Sequence, residues 1–252
     1  MKIALLIEYD GTDFAGWQIQ PGIRTVQQEL ENALERVLQK RISVTAAGRT
    51  DSGVHALGMV AHLELPESIT MPLEKLNDAV NATSGHDIVV REIREVPADF
   101  HARYSAVDRE YRYTIFRRRT ALHRNFSWYV HGELDLPVMK NVAGHLLGEH
   151  DFTSFSKRSE DVEHYRCLLD LCDVSESEDM ILISIRANRF VRGMVRAIVG
   201  GIVEVGKGKM NEDRFLQLLH TPTEEDRAKF LSPAQGLVFV KVRYPKEFGL
   251  WE

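Results

Sequence analysis

Two short apolar runs, Ile42 to Ala47 and Met59 to Leu65, have the length and composition of strands and bracket Gly48-Arg49-Thr50-Asp51-Ser52-Gly53-Val54-His55-Ala56. The chain must turn between them. It does so with two glycines, a hydroxyl on each side of Asp51, and Arg49 two residues before it. A reachable loop on rigid strands is a frequent mount for chemistry. A carboxylate with a cation close by stays ionised. The same composition also spells a plain turn in which Asp51 bonds its own backbone. Both readings fit this segment taken alone.

Periodicity places the loop in a larger order. Met1 to Asp10 reads as a first strand, and Asp10 to Gln18 as a loop. Thr25 has the position of an N-cap with Gln28 as its capping-box partner, before Val26, Leu30, Ala33, Leu34, Val37 and Leu38 at helical spacing to about Lys40. Pro72 opens a second helix with Gly85 as its stop, and Ile88 to Val96 returns as a strand. The order β-α-β-loop-β-α-β predicts an α+β domain on a mostly antiparallel sheet.

The second half repeats the mixture. Strands are expected at 109–117, 167–174, 180–187 and 236–244, and helices at 137–147, 191–205 and 211–219. In the first of these strands Tyr111, Tyr113 and Ile115 alternate with Arg112, Thr114 and Phe116. The boundary between halves falls near Tyr104 to Asp108, giving domains of 1–106 and 107–252. Asp13-Phe14 recurs as Asp151-Phe152, and Gly58-Met59-Val60 as Gly193-Met194-Val195, at nearly equal offsets. The echo suggests two related domains.

Composition narrows the function class. In 252 residues, 44% apolar and 27% charged, no apolar run reaches the roughly 18 residues that span a bilayer. The N-terminal segment meets charge too early for a signal peptide, so the cytoplasm is the expected compartment and no membrane partner is expected. Cys167 and Cys172, five positions apart on an expected strand, would face opposite sides as free thiols. The ten histidines include no His-x-x-x-His pair, and no metal site is expected. A net charge of -5 argues against bulk coating of nucleic acid, yet arginines cluster. Six fall within 109–124 and four within 186–196, with lysine absent from both. Arginine is favoured where planar phosphate contact matters.

Tyr111, flanked by Arg109 and Arg112, is either a half-buried sheet tyrosine or a platform on which a base stacks. Arg196 lies off the centre of an apolar helical stripe. It is either a surface charge or a cation at a cleft wall that pairs with a carboxylate. Arg189 and Arg192 read as phosphate contacts or solvated charges.

Gly48 to Ala56 resembles the active-site signature of the tRNA pseudouridine synthase A family. The resemblance extends to Tyr9-Asp10-Gly11-Thr12, Gly16-Trp17-Gln18 and Thr25-Val26-Gln27, then to Asp99-Phe100-His101-Ala102-Arg103 and Tyr111-Arg112-Tyr113. Asn188-Arg189-Phe190, Met194-Val195-Arg196 and Pro233-Ala234-Gln235-Gly236-Leu237 resemble its C-terminal part. Two departures stand out: Ser52 where many relatives have alanine, and Gly193 where many have histidine.

The resemblance implies the pseudouridine synthase fold, two related α+β domains whose mostly antiparallel mixed sheets are flanked by helices, with the active-site cleft between them. It implies isomerisation of uridine to pseudouridine at nucleotides 38 to 40 of the tRNA anticodon arm by a homodimer, without cofactor or metal. Asp51 would be the nucleophile and Tyr111 would contact the uracil. Arg196 would pair with Asp51, and Arg49 would help flip the base or hold its phosphate. Arg109, Arg112, Arg189 and Arg192 are candidate RNA-phosphate contacts. The chemistry agrees with a lone carboxylate, because exchanging an N-glycosidic for a C-glycosidic bond is redox-neutral. The carboxylate either attacks the ribose or the base, or removes a ribose proton to give a glycal. Two other readings remain. A nucleoside or glycoside hydrolase normally needs a second carboxylate at fixed distance. A non-catalytic RNA-binding module would use Asp51 only as a turn.

Overall fold

The computed structural model describes residues 1–67, 70–159, 162–227 and 229–251. The chain divides into two compact units, Met1–Asp108 with Val238–Glu252, and Arg109–Leu237.

In the first unit, β1 (Lys2–Tyr9) pairs antiparallel with β3 (His55–Glu64) on one side and β4 (Ile88–Glu95) on the other. Two strands share the outer edge of β3. β2 (Thr45–Ala46) runs antiparallel along Ala61–His62, and β10 (Leu237–Arg243) runs parallel along His55–Ala56. The closing strand therefore belongs with the first unit, whereas the sequence assigns all of 107–252 to the second half. Its long-range partner cannot be read from local pattern.

Helices α1 (Val26–Leu38) and α2 (Leu73–Thr83) bury the stripes expected of them, Val26, Leu30, Ala33, Leu34 and Leu38 in α1 and Leu76 and Val80 in α2. Thr25 caps α1, its Oγ1 accepting from the Gln28 N–H at 3.4 Å, and Gln39 ends it in the left-handed conformation. The strand expected over 42–47 shrinks to two residues for an identifiable reason. The Val44 N–H donates to Glu31 Oε1 at 2.9 Å, and its carbonyl accepts from Gln27 Nε2 at 3.3 Å. Side chains of α1 thus take the backbone groups that a ladder would use.

Beneath the 99–104 segment, the Ala102 N–H donates to His62 Nδ1 at 3.2 Å. Burial, with His101 and Lys2 nearby, lowers the His62 pKa to about 4. The unfolded chain then binds this proton more readily than the folded one. The contribution is complete above about pH 6.5 and is lost as pH falls toward about 4, at up to ~1.4 kcal/mol per pH unit. Urea midpoints at pH 7 and pH 5 should therefore differ more in the wild type than in His62→Gln. Equal differences would remove His62 from this role.

In the second unit, β5 (Asp108–Phe116), β9 (Met180–Ala187), β8 (Arg166–Ser177) and β7 (Gly148–Asp151) form an antiparallel series, and β6 (Trp128–Tyr129) lies parallel to β5. Helices α3 (Leu136–Gly144), α4 (Met194–Gly206) and α5 (Glu212–His220) flank the sheet. Helix α4 is buried along most of its length. Both units have the expected α+β character, with mostly antiparallel strands and helices beside them.

Two expectations fail on local geometry. A bulge between Leu169 and Leu171 resets the alternation of β8, so Cys167 and Cys172 are both buried instead of facing opposite sides. Gly58-Met59-Val60 lies inside β3, while Gly193-Met194-Val195 starts α4, so that echo joins unlike elements. The repeat that does exist is a turn. Thr12 donates its N–H and hydroxyl to Asp10 Oδ1 at 3.0 and 2.6 Å, and Thr153 does the same to Asp151 Oδ1 at 2.9 and 2.6 Å.

Candidate active site

The Asp51 segment is a turn, and it is also clamped. The Val54 N–H donates to the Asp51 carbonyl at 3.2 Å, closing a four-residue turn with Gly53 at φ +76° in third place. A second loop, residues 10–18, lies against it main chain to main chain. Trp17 N–H donates to the Thr50 carbonyl at 3.1 Å, and Gly53 N–H to the Phe14 carbonyl at 3.2 Å. The Ser52 hydroxyl reaches the same Phe14 carbonyl at 3.2 Å, a bond that alanine at this position would lack. Buried Thr50 bonds Tyr9 through their hydroxyls at 2.8 Å, and the Gly11 N–H donates to His55 Nδ1 at 2.9 Å.

Two glycines make the approach possible. A Cβ at Gly11 would overlap the Val54 carbonyl, and one at Gly16, whose φ is +102°, would come within 2.6 Å of the Thr50 carbonyl. The 10–18 loop is itself anchored from below. Arg24 stacks over Phe14 at 4.2 Å, and Asp87 grips its guanidinium through bonds of 2.6 and 3.0 Å. That pairing raises the Arg24 pKa and lowers that of Asp87. Asp51 emerges half-buried from this double loop, with Arg49 exposed two residues earlier. The sequence predicts a loop over 10–18, with Asp10-Gly11-Thr12 and Gly16-Trp17-Gln18 among the segments that carry the resemblance. Its pairs of glycines and polar residues signal close backbone approach, but not which backbone.

Tyr111 and Arg196 lie in the second unit. Tyr111 is buried on β5 opposite Ile185, with Phe190 edge-on at 5.0 Å. Arg196 stands in the first turn of α4 and donates from Nε to the Ser232 carbonyl at 2.8 Å, while the Ser232 N–H returns a bond to the Arg196 carbonyl at 3.1 Å. It is half-buried, so it is not a freely solvated surface charge.

The arginine segments resolve into different tasks. Arg109 is buried and donates to the Asn188 carbonyl at 2.9 Å, so it braces the strand end instead of presenting itself to phosphate as expected. Arg117 and Arg118 pair with Glu176 and Asp179, and Arg186 with Asp170 at 2.9 Å. Arg112 and Arg192 are exposed, and Arg189 lies half-buried with His164 Nε2 3.5 Å away. Among the described residues no group of three His, Cys, Asp or Glu side chains is arranged to hold a metal, and no helix is long and apolar enough to cross a membrane.

Comparison with known proteins identifies the family. The family model for tRNA pseudouridine synthase matches residues 5–105 and 142–245. The chain is 40% identical over 244 residues to tRNA pseudouridine synthase A of Geobacter sulfurreducens, covering 96% of this chain and 99% of that one. It is 42% identical over 253 residues to the Aliivibrio salmonicida protein of the same name, covering 99% and 95%. The Thermotoga neapolitana relative is 38% identical over 245 residues, covering 96% and 99%.

Proposed function

Because this chain belongs to the tRNA pseudouridine synthase family, we propose that Asp51 is the nucleophile with which it isomerises uridine at positions 38, 39 and 40 of the tRNA anticodon arm. The enzyme is an isomerase that converts uridine to pseudouridine in tRNA. The observation that carries the choice of Asp51 is its place on a turn held rigidly by the 10–18 loop. A preorganised carboxylate needs no loop ordering when substrate arrives.

The reaction breaks the ribose C1′–N1 bond and forms C1′–C5. N1 gains a proton and C5 loses one, so no oxidant is required. A duplex hides C1′ and the base from a side chain, so the uridine must leave the stack first. Tyr111 then offers its ring to the extruded uracil. Arg196 supplies positive charge to the Asp51 carboxylate, and Arg49 holds the phosphate or fills the gap left by the base. Arg112, Arg189 and Arg192 are proposed backbone contacts, and A-form RNA favours such shape and phosphate readout. We assign the working form as a cytoplasmic homodimer acting on the anticodon arm without a cofactor.

The test is tritium release from a tRNA transcript labelled at uracil C5, with chelator present and nothing else added. Stoichiometric release by the wild type, mapped to positions 38 to 40, is the expected result. Free uracil in place of pseudouridine would make the protein a hydrolase. Tight tRNA binding without release would make it a binding module.

A further inference from the structure

Arg196 does not hold its position by helix geometry alone. The segment 230–236 lies across α4 like a strap, and glycine is required where it comes closest. Gly200 faces the Phe230 carbonyl so closely that any Cβ would overlap it. Two residues on, Ser232 exchanges the reciprocal main-chain and guanidinium bonds with Arg196. The next carbonyl, that of Pro233, accepts from the Tyr113 hydroxyl at 2.7 Å. The Tyr113 ring fills the space beside Gly236, where a Cβ would stand 2.5 Å from Cζ. Tyr113 is fully buried at 0% exposure, and burial pushes its phenol pKa up, so it remains a hydrogen-bond donor across the working pH range. All of these residues belong to the second unit.

We infer that Tyr113 is a positioning residue for the isomerisation: its hydroxyl fixes the Pro233 carbonyl, which fixes the adjoining Ser232 carbonyl, which aims the Arg196 guanidinium. Tyr113 touches no substrate in this scheme and acts only through Arg196. The inference rests on the role given to Arg196 above. A guanidinium tethered through Nε takes part of its aim from the carbonyl that holds the tether. A tether on a slack strap would let the charge wander by more than the fraction of an ångström that preorganised electrostatics tolerates.

The experiment is a double-mutant cycle in single-turnover tritium release with enzyme in excess, run below the thermal transition of every variant, with tRNA Kd measured separately. Tyr113→Phe keeps the ring and removes only the hydroxyl. The expected result is a roughly tenfold slower turnover at an unchanged Kd, the loss of one buried hydrogen bond expressed in the transition state. In the Arg196→Lys background, where the fork is already gone, Tyr113→Phe should slow turnover by less than about twofold. A tenfold loss in both backgrounds would show that Tyr113 acts independently of Arg196 and would overturn the inference. So would an unchanged rate in the single variant, or an equal rise in Kd. Wild-type enzyme that releases no tritium would instead sink the assigned reaction, and the two failures are therefore distinct.

Discussion

Asp51→Asn should abolish tritium release, by at least ~10⁴-fold, while leaving the thermal transition and tRNA affinity nearly unchanged. The amide has the shape of the carboxylate but neither its charge nor its nucleophilicity. The fold should survive because the clamp on this turn is built from other groups. Trp17 N–H reaches the Thr50 carbonyl, Gly53 N–H reaches the Phe14 carbonyl, and Val54 N–H reaches the main-chain carbonyl of Asp51 itself. None of these three bonds uses the side chain that changes. Single-turnover tritium release with a parallel melting curve checks both halves of the expectation. A Tm lowered by several degrees with turnover retained would assign the carboxylate to the turn and not to the chemistry.

Gly16→Ala should be the most damaging change that touches no reacting group. The residue sits at φ +102°, a backbone conformation that L side chains rarely adopt, and its new Cβ would lie 2.6 Å from the Thr50 carbonyl and 3.2 Å from the Asp51 carbonyl carbon. The neighbours are backbone and cannot rotate away. Strain and overlap together should cost about 3 kcal/mol, lowering Tm by roughly 10 °C. Relief requires the two loops to part, which moves Asp51. Turnover measured well below the transition should therefore fall by roughly 100-fold, a loss that the stability change does not account for. A variant with wild-type turnover at low temperature would mean that the contact between the loops serves folding alone.

The parts of the molecule that a sequence shows well are those with a local cause. Thr25 before an apolar stripe at helical spacing marks α1, and the alternation around Tyr111 marks β5 with its inward and outward faces. Asp51 stands out because glycine, hydroxyl and arginine surround it in a segment that resembles a family signature. What stays hidden depends on partners far along the chain. Thr50 and Trp17 are separated by 33 positions, and nothing at either one names the other. The extra residue in β8 exists only relative to β9, so the phase of Cys172 cannot be computed from β8 alone. Arg109 has the composition of a phosphate contact and the environment of a strut, and its environment comes from Asn188. Ser232 and Tyr113 carry no signal of their own, and their relation to Arg196 appears only once α4 and the segment crossing it are in place.

The first unit is assembled from two stretches of chain with the whole second unit between them. On a ribosome this becomes an order of events. Residues 1–108 emerge before the second unit, and the outer edge of the His55–Ala56 end of β3 waits for Val238 and Phe239. At ordinary synthesis rates, the intervening 109–237 occupy roughly ten seconds. During that interval the nascent chain carries an open strand edge, the kind of surface that recruits other strands. The same edge begins one residue after the Asp51 turn closes, so this late pairing is the one beside the Asp51 loop. A slow codon within the second unit would lengthen the exposure of that edge, and a fast one would shorten it.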